Sequence, residues 1–336
     1  MNFPSLKRVL SVALAALAIA GTVVGCGGEK KAQTPESPSA GQTVKINFPT
    51  ASASGALYAV GAAITNMWNQ NIPGVSAASQ ASAGGVANLG MVADGEAQVS
   101  IAISSNCFQA LNGTDSFQGQ AFKDFRAIGG LYLNPNQIVV TKASGIHSLA
   151  EVKGKHFAVA SAGSSVYNEC ATHFTAAGLK FPDDLKCEYI TFTDAADMLQ
   201  NGSIDGAWIM SGAPASAVSQ ALSSGCQLLN IDDGLMNALK AKYPWYASYT
   251  IPQGTYPNQD ADIHTSAIKM VMFTRADMPE TLVYQLTKTF WEHIDELGQS
   301  QKNLKGLKPA DAVKDIANLP LHPGAENYYK EIGVLK

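Results

Sequence analysis

Arginine is almost missing from this sequence: in 336 residues only Arg8, Arg126 and Arg275 carry a guanidinium. A bidentate clamp on a carboxylate or phosphate therefore has few residues to draw on. The common catalytic signatures are missing too. The six histidines are dispersed, with no His-Glu-x-x-His, and the five cysteines contain no Cys-x-x-Cys, so the usual zinc frameworks are excluded. No Gly-x-Ser-x-Gly elbow and no GxGxxG fingerprint occurs, which leaves a serine hydrolase or a dinucleotide enzyme without a motif. Asp260, Asp262 and His264 alternate and would share one strand face, but a solvated strand edge accounts for them much better than a metal does. No metal and no cofactor is expected.

What is present begins with a leader. Lys7 and Arg8 precede an uncharged run, Val9 to Val24, that ends in Val23-Val24-Gly25-Cys26. A short cationic flank, an apolar core and small residues describe a secretory signal over 1–25, too short for a good membrane span. Its ending resembles a bacterial lipobox, which implies lipidation of Cys26 and a lipid bilayer as a partner. Residues 26–41 are Gly, Glu, Lys, Gln, Thr, Pro and Ser with no large apolar residue, and read as a flexible tether. Without the signal, 21 of the 23 basic residues face 27 acidic ones, a net charge of about −6. Nucleic acid is thus not an expected partner. Cys107, Cys170, Cys187 and Cys226 remain; an exported chain permits disulfides, with Cys170–Cys187 the favoured pair if one forms, but buried free thiols weigh at least as much.

The folded body opens on strand, loop and helix. Val44, Ile46 and Phe48 alternate, and Leu57, Val60, Gly61, Ile64 and Trp68 fall at helical spacing. Between them Ser52, Ser54 and the free N–H groups of the first helical turn would face an anion. For one such loop an ordinary N-cap is the commoner explanation, and a second loop of the same kind, Ala162-Gly-Ser-Ser165, shifts the balance toward a ligand. Strands at Val75–Gln80 and Gln98–Ser104 alternate with helices at Gly84–Asp94 and Asn106–Leu111, the signature of a doubly wound parallel sheet. Arg126–Thr141 is long, apolar and broken by Asn134-Pro135, and reads as a strand crossing into a second lobe.

There the pattern restarts. Strands are expected at His156–Ser161, Cys187–Phe192, Ile204–Met210 and Cys226–Ile231. Helices are expected at Val166–Ala177, Asp194–Gln200 and Asp233–Lys242, with Pro214 in the first turn of a further one ending at Leu222. Pro244, Pro252 and Pro257 put a return crossing near Tyr246–Tyr256. A strand at Ser266–Thr274, a helix at Pro279–Leu297 and a short helix near the C-terminus complete the chain. The fold class is α/β, with lobe 1 over 42–135, lobe 2 over 136–250 and a return to lobe 1 over 251–336. Two hinged α/β units imply a cleft between them. Tyr58, Tyr132, Tyr167 and Trp208 are candidate aromatics for it, with core packing the alternative for Tyr132 and Trp208.

Several short segments occur in one order. These are Gly84-Gly-Val-Ala-Asn-Leu, Phe125-Arg-Ala-Ile-Gly-Gly-Leu-Tyr, Ser144-Gly-Ile-His-Ser-Leu-Ala-Glu-Val-Lys-Gly-Lys155, Ile251-Pro-Gln-Gly-Thr-Tyr256 and Leu319-Pro-Leu-His-Pro-Gly-Ala325. From Val44 onward the chain resembles the TAXI-type solute receptors of TRAP transporters. That resemblance implies a two-lobed periplasmic-binding-protein fold of type II, closure on a small solute, and delivery to an ion-driven permease. It places ligand contacts at Ser52, Ser54, Gly55 and Tyr58, at Ser82, Gly84 and Gly85, and at Ser104 and Ser105. In the second lobe it adds Gly163, Ser164, Ser165, Trp208 and Ser211; Tyr132 is added to these as a candidate aromatic and not by the resemblance. The sequence departs from the family pattern at Ala51-Ser-Ala-Ser54, Ser82-Ala-Gly-Gly85 and Gly163-Ser-Ser-Val166, and has Ser105 where many relatives carry an acid.

Since neither Arg126 nor Arg275 falls in these loops, hydroxyls and helix N-termini must hold any anion. The expected solute carries one carboxylate, or is neutral or zwitterionic; the family resemblance implies carboxylate-bearing solutes such as glutamate or 2-oxo acids. The reading is a monomeric, membrane-anchored, extracytoplasmic receptor and not an enzyme. The alternatives are a receptor for an ABC importer, a sensor, or a surface lipoprotein enzyme whose catalytic residues form no motif.

Overall fold

The computed structural model describes residues 43–51, 56–162 and 164–336. The signal, the tether and Cys26 lie outside them. The first lobe is built from β1 (Val44–Pro49), α1 (Ala56–Asn71), β2 (Val75–Gln80), α2 (Gly85–Ala93), β3 (Val99–Ile103) and α3 (Ser104–Asn112). β1 and β2 pair in parallel. Gln98 donates its N–H to the Asn47 carbonyl at 3.3 Å, and Ser100 Oγ donates to the Pro49 carbonyl at 2.6 Å, which sets β3 on the other side of β1. Residues Ile46 and Phe48 are buried, as their alternation predicts, and Phe48 stacks on Trp68 of α1 with ring centroids 5.7 Å apart.

β4 (Phe125–Thr141) is a single strand of 17 residues. Its first part pairs antiparallel with β10 (Ile263–Arg275) up to Pro135, and from Asn136 it pairs with β7 (Gly206–Met210). Proline has no N–H for a ladder, so Pro135 suits the point where β4 changes partners. Beyond β4 come β5 (His156–Ala158), α4 (Ser165–Ala176), β6 (Lys186–Glu188), α5 (Phe192–Gln200), and then, after β7, α6 (Ser216–Ser223), β8 (Cys226–Leu228), α7 (Asp233–Lys242) and β9 (Tyr246–Ile251). After β10 the chain ends in α8 (Glu280–Glu292), α9 (Ile294–Ser300) and α10 (Pro323–Glu331), which cover lobe 1. The strand orders match: in lobe 1 the two-stranded β2-β1 sheet lies beside β3 of a β3-β10-β4 run, and lobe 2 runs β6-β5-β7-β4-β8. In each, an antiparallel strand is inserted fourth, and the two lobes share β4. Both are α/β units of one design, joined through long paired strands.

Caps match the local sequence. Asp232 accepts the Leu235 N–H at 2.9 Å to start α7, and Lys240 and Lys242 sit in its last turn, where cations suit the helix dipole. Among the described residues no helix is long and apolar enough to cross a membrane.

Four expectations need correction. The return crossing is β10 itself: Tyr246–Ile251 forms β9, which pairs antiparallel with Ile263–Ile268, so Pro244 precedes a hairpin and Pro252 and Pro257 lie in its connecting loop. Pro214 does not open a helix; α6 starts at Ser216, and the Ala215 N–H before it donates to Tyr256 Oη at 2.9 Å. Phe192 begins α5 instead of ending a strand, since Thr191 caps there through the Asp194 N–H. The Cys170–Cys187 disulfide is not formed, and Cys107, Cys170, Cys187 and Cys226 are all free thiols. Cys187 is turned toward the Pro182 carbonyl at 3.8 Å, whereas Cys170 is buried in the core, where desolvation raises its pKa and keeps the thiol protonated.

Candidate functional site

At the ends of the lobe 1 strands, one buried amide does most of the positioning. Asn88, in the first turn of α2, donates from Nδ2 to the carbonyls of Thr50 and Ile101, both at 2.8 Å, and its Oδ1 accepts from Ser82 Oγ at 2.6 Å. The ends of β1 and β3 and the loop after β2 are thereby tied together. Gly84, at φ 102°, caps α2 in a conformation that favours glycine. A Cβ on Gly85 would stand 2.8 Å from Asn106 Oδ1, so a bare glycine lets the start of α2 approach α3.

Two helix N-termini then meet across the lobes. Ser104, Ser105 and Asn106 form the first turn of α3, and Ser164 caps α4 by accepting the Tyr167 N–H at 3.1 Å. Ser165 Oγ donates to Asn106 Oδ1 at 2.9 Å, and Ser105 Oγ approaches Glu169 Oε1 at 3.4 Å. The other Glu169 oxygen accepts from Tyr246 Oη at 2.5 Å. Glu169 is only 4 % exposed. Burial raises its pKa to about 7, against the opposing effect of the hydrogen bonds from Tyr246 and Ser105.

The network continues to the crossing strands. His173 Nδ1 lies 2.7 Å from the Glu169 carbonyl, which can only accept, so Nδ1 carries the proton and Nε2 accepts from Ser266 Oγ at 2.7 Å. Burial lowers the His173 pKa to about 4, keeping the ring neutral. Asn136 Nδ2 donates to Ser266 Oγ at 3.0 Å, and Trp208 Nε1 donates to Asn136 Oδ1 at 2.9 Å. A continuous polar path thus runs from the α3–α4 junction to β4 and β10.

Of the residues expected at the site, Ser52, Ser54, Gly55 and Gly163 lie outside the described residues. Ser82, Gly84, Gly85, Ser104, Ser105, Ser164 and Ser165 are brought together, and Ser104 Oγ is buried with no hydrogen-bond partner. Tyr58 is half-buried at the start of α1, and Ser211 half-buried after β7, its carbonyl accepting from Gln137 Nε2 at 2.8 Å. Trp208 is a correction: it is 1 % exposed, packed on His173 and Phe174, with its N–H already used, so it is a core residue. Tyr132 is buried and hydrogen-bonded to Asn303, away from the α3–α4 junction. Arg126 is held by the carbonyls of Lys123 and Phe125, and Arg275 pairs with Asp277 at 2.9 Å. Asp262 accepts the Gln253 N–H, and among the described residues no group of three or more His, Cys, Asp or Glu could hold a metal.

Sequence reasoning missed Asn88, Glu169, His173 and Tyr246. A signal for Glu169 existed: it stands four residues after Ser165, on the same helix face, as the sole acid of α4.

The chain matches the NMT1-like family over residues 48–333, and belongs to it. Among solved structures it is similar to an ATP-bound protein of Xanthomonas citri, at 10 % identity over 86 % of this chain and 99 % of that one, with a TM-score of 0.51. The periplasmic aliphatic sulphonate binding protein of Escherichia coli aligns at 19 % identity over 85 % of this chain and 82 % of that one, with a TM-score of 0.49. A putative L-cystine ABC transporter protein of Listeria monocytogenes aligns at 14 % identity over 81 % and 98 %, with a TM-score of 0.45. Identity this low concerns the fold alone, a two-lobed α/β arrangement.

Proposed function

We propose that this member of the NMT1-like family is an extracytoplasmic receptor that captures a small solute between its lobes without transforming it. The observation that carries the reading is the meeting of α3 and α4 at Asn106 and Ser165, one helix N-terminus from each lobe, beside strands that join the two. Free N–H groups at such termini favour an acid group, and the loops supply hydroxyls at Ser82, Ser104, Ser105, Ser164 and Ser165. In this reading Ser52, Ser54, Gly55, Tyr58, Gly163 and Ser211 complete the rim, Cys26 carries the lipid, and residues 26–41 tether lobes bounded near 135 and 250.

The captured solute would pass to a membrane importer. An ABC-type importer is placed first, the kind of transporter named for the Listeria protein. A TRAP permease stands second, on the ordered segments that resemble TAXI receptors; the family match is NMT1-like and names neither. The test is a thermal-shift and titration screen of the intact protein against amino acids, 2-oxo acids, dicarboxylates and sulfonates. A concentration-dependent rise in melting temperature for one class, with the compound recovered unchanged, is expected. Turnover of the compound would replace the receptor by an enzyme, and citrate binding best would exclude the single-acid solute.

A further inference from the structure

A cavity of about 390 Å³ between the lobes shares no lining residue with the α3–α4 junction. Lobe 1 supplies Lys302, Asn303 and Lys305 to its wall, and lobe 2 supplies Gly212 and Tyr249. Four lysines line it against two aspartates, Asp311 and Asp315. Three of the lysines, Lys302, Lys305 and Lys314, are exposed, but Lys269 is only 4 % exposed. Its ammonium donates to the Asp311 carbonyl at 3.3 Å, while the Asp311 carboxylate pairs with Lys314 at 3.6 Å. Two of the three donors of Lys269 are thus left without a protein hydrogen bond among the described residues.

The chain makes room for this lysine. A Cβ on Gly130 would stand 3.1 Å from Cγ and Cδ of Lys269, so the glycine gives its stem a bed on β4. Burial holds the Lys269 pKa below the ordinary lysine value, although Asp315 and Asp311 are near enough to oppose the shift. An ammonium withdrawn from water and short of partners is stabilised by an anion that brings both charge and acceptors.

We infer that this cavity receives the acid group of the captured solute, a carboxylate or another small oxyanion, on Lys269. The inference rests on the receptor reading but moves the acid group from the hydroxyls and helix N-termini of the α3–α4 junction to a cation in this cavity. With walls from both lobes, an anion here also favours their closure.

The test is titration calorimetry of the intact protein with L-glutamate, 2-oxoglutarate and methanesulfonate, and with glucose as an uncharged probe. At least one acid should bind the wild type, and Lys269→Met, which keeps the unbranched stem, should weaken it by more than about tenfold. If Lys269→Met does not fold, Lys302→Gln with Lys305→Gln at exposed positions should weaken the same acid by about threefold or more and flatten its salt dependence. An acid that binds the variants as tightly as the wild type overturns the inference and leaves the receptor. Glucose binding while all three acids fail does the same. Failure of all four probes overturns the inference, and failure of the wider solute screen as well overturns the receptor reading.

Discussion

Asn88 is one residue on which three segments depend. Asn88→Ala would leave the Thr50 and Ile101 carbonyls without their amide donor and free the Ser82 loop. We expect a loss of about 2–4 kcal/mol in urea unfolding. Glu169 and His173 oppose each other in pH. The raised Glu169 pKa means stability fully present below 4.5 and lost as pH rises through about 7. The lowered His173 pKa means stability present above 6.5 and lost as pH falls through about 4. Between 4.5 and 6.5 the two slopes largely cancel. Glu169→Gln should therefore gain on the wild type as pH is raised from 5 to 8, by a few kcal/mol at most, a difference read from paired melting curves. A constant difference across that range would refute the assignment.

At the scale of elements, the helix-on-strand contact at α1 is set by a glycine. A Cβ on Gly61 would collide with Thr50 Cγ2, and Thr50 cannot turn away because its Oγ1 is bonded to the Gln80 carbonyl at 3.1 Å. Gly61→Ala should cost about 1–3 kcal/mol despite its better helix propensity; a stabilised variant would show that α1 shifts freely. Most elements were legible in sequence because their signals are local: α7 runs over the expected Asp233–Lys242, and the alternation of β1 matches its burial. The return crossing was not. Prolines near Tyr246–Tyr256 mark breaks in any element, and only the register of β9 on β10 shows that they border and occupy the loop of a hairpin. Trp208 was equally ambiguous, since an aromatic at a strand end serves a cleft or a core, and neighbours distant in sequence decide which.

For the whole molecule, the contacts that join the lobes at the α3–α4 junction are few and polar, and Phe108 against Trp245 adds one aromatic pair at 5.2 Å. A saturating solute should reduce the radius of gyration measured by X-ray scattering. Asn106→Ala with Ser165→Ala should enlarge the ligand-free radius and leave the saturated one unchanged. Equal radii with and without solute, with binding established by calorimetry, would argue against closure.

The sequence by itself determined the α/β alternation, the shared strand that leaves lobe 1, the free helix ends and the poverty of arginine, because periodicity, caps and composition act within a few residues of chain. Only the tertiary structure decided that Ser165 meets Asn106 across 59 residues, that Ser105 faces Glu169 across 64, and that Lys269 is buried beside three other lysines. Such pairings depend on how two sheets are set against each other through β4 and β10. No window of sequence contains both partners, so their chemistry emerges only when the lobes are brought together.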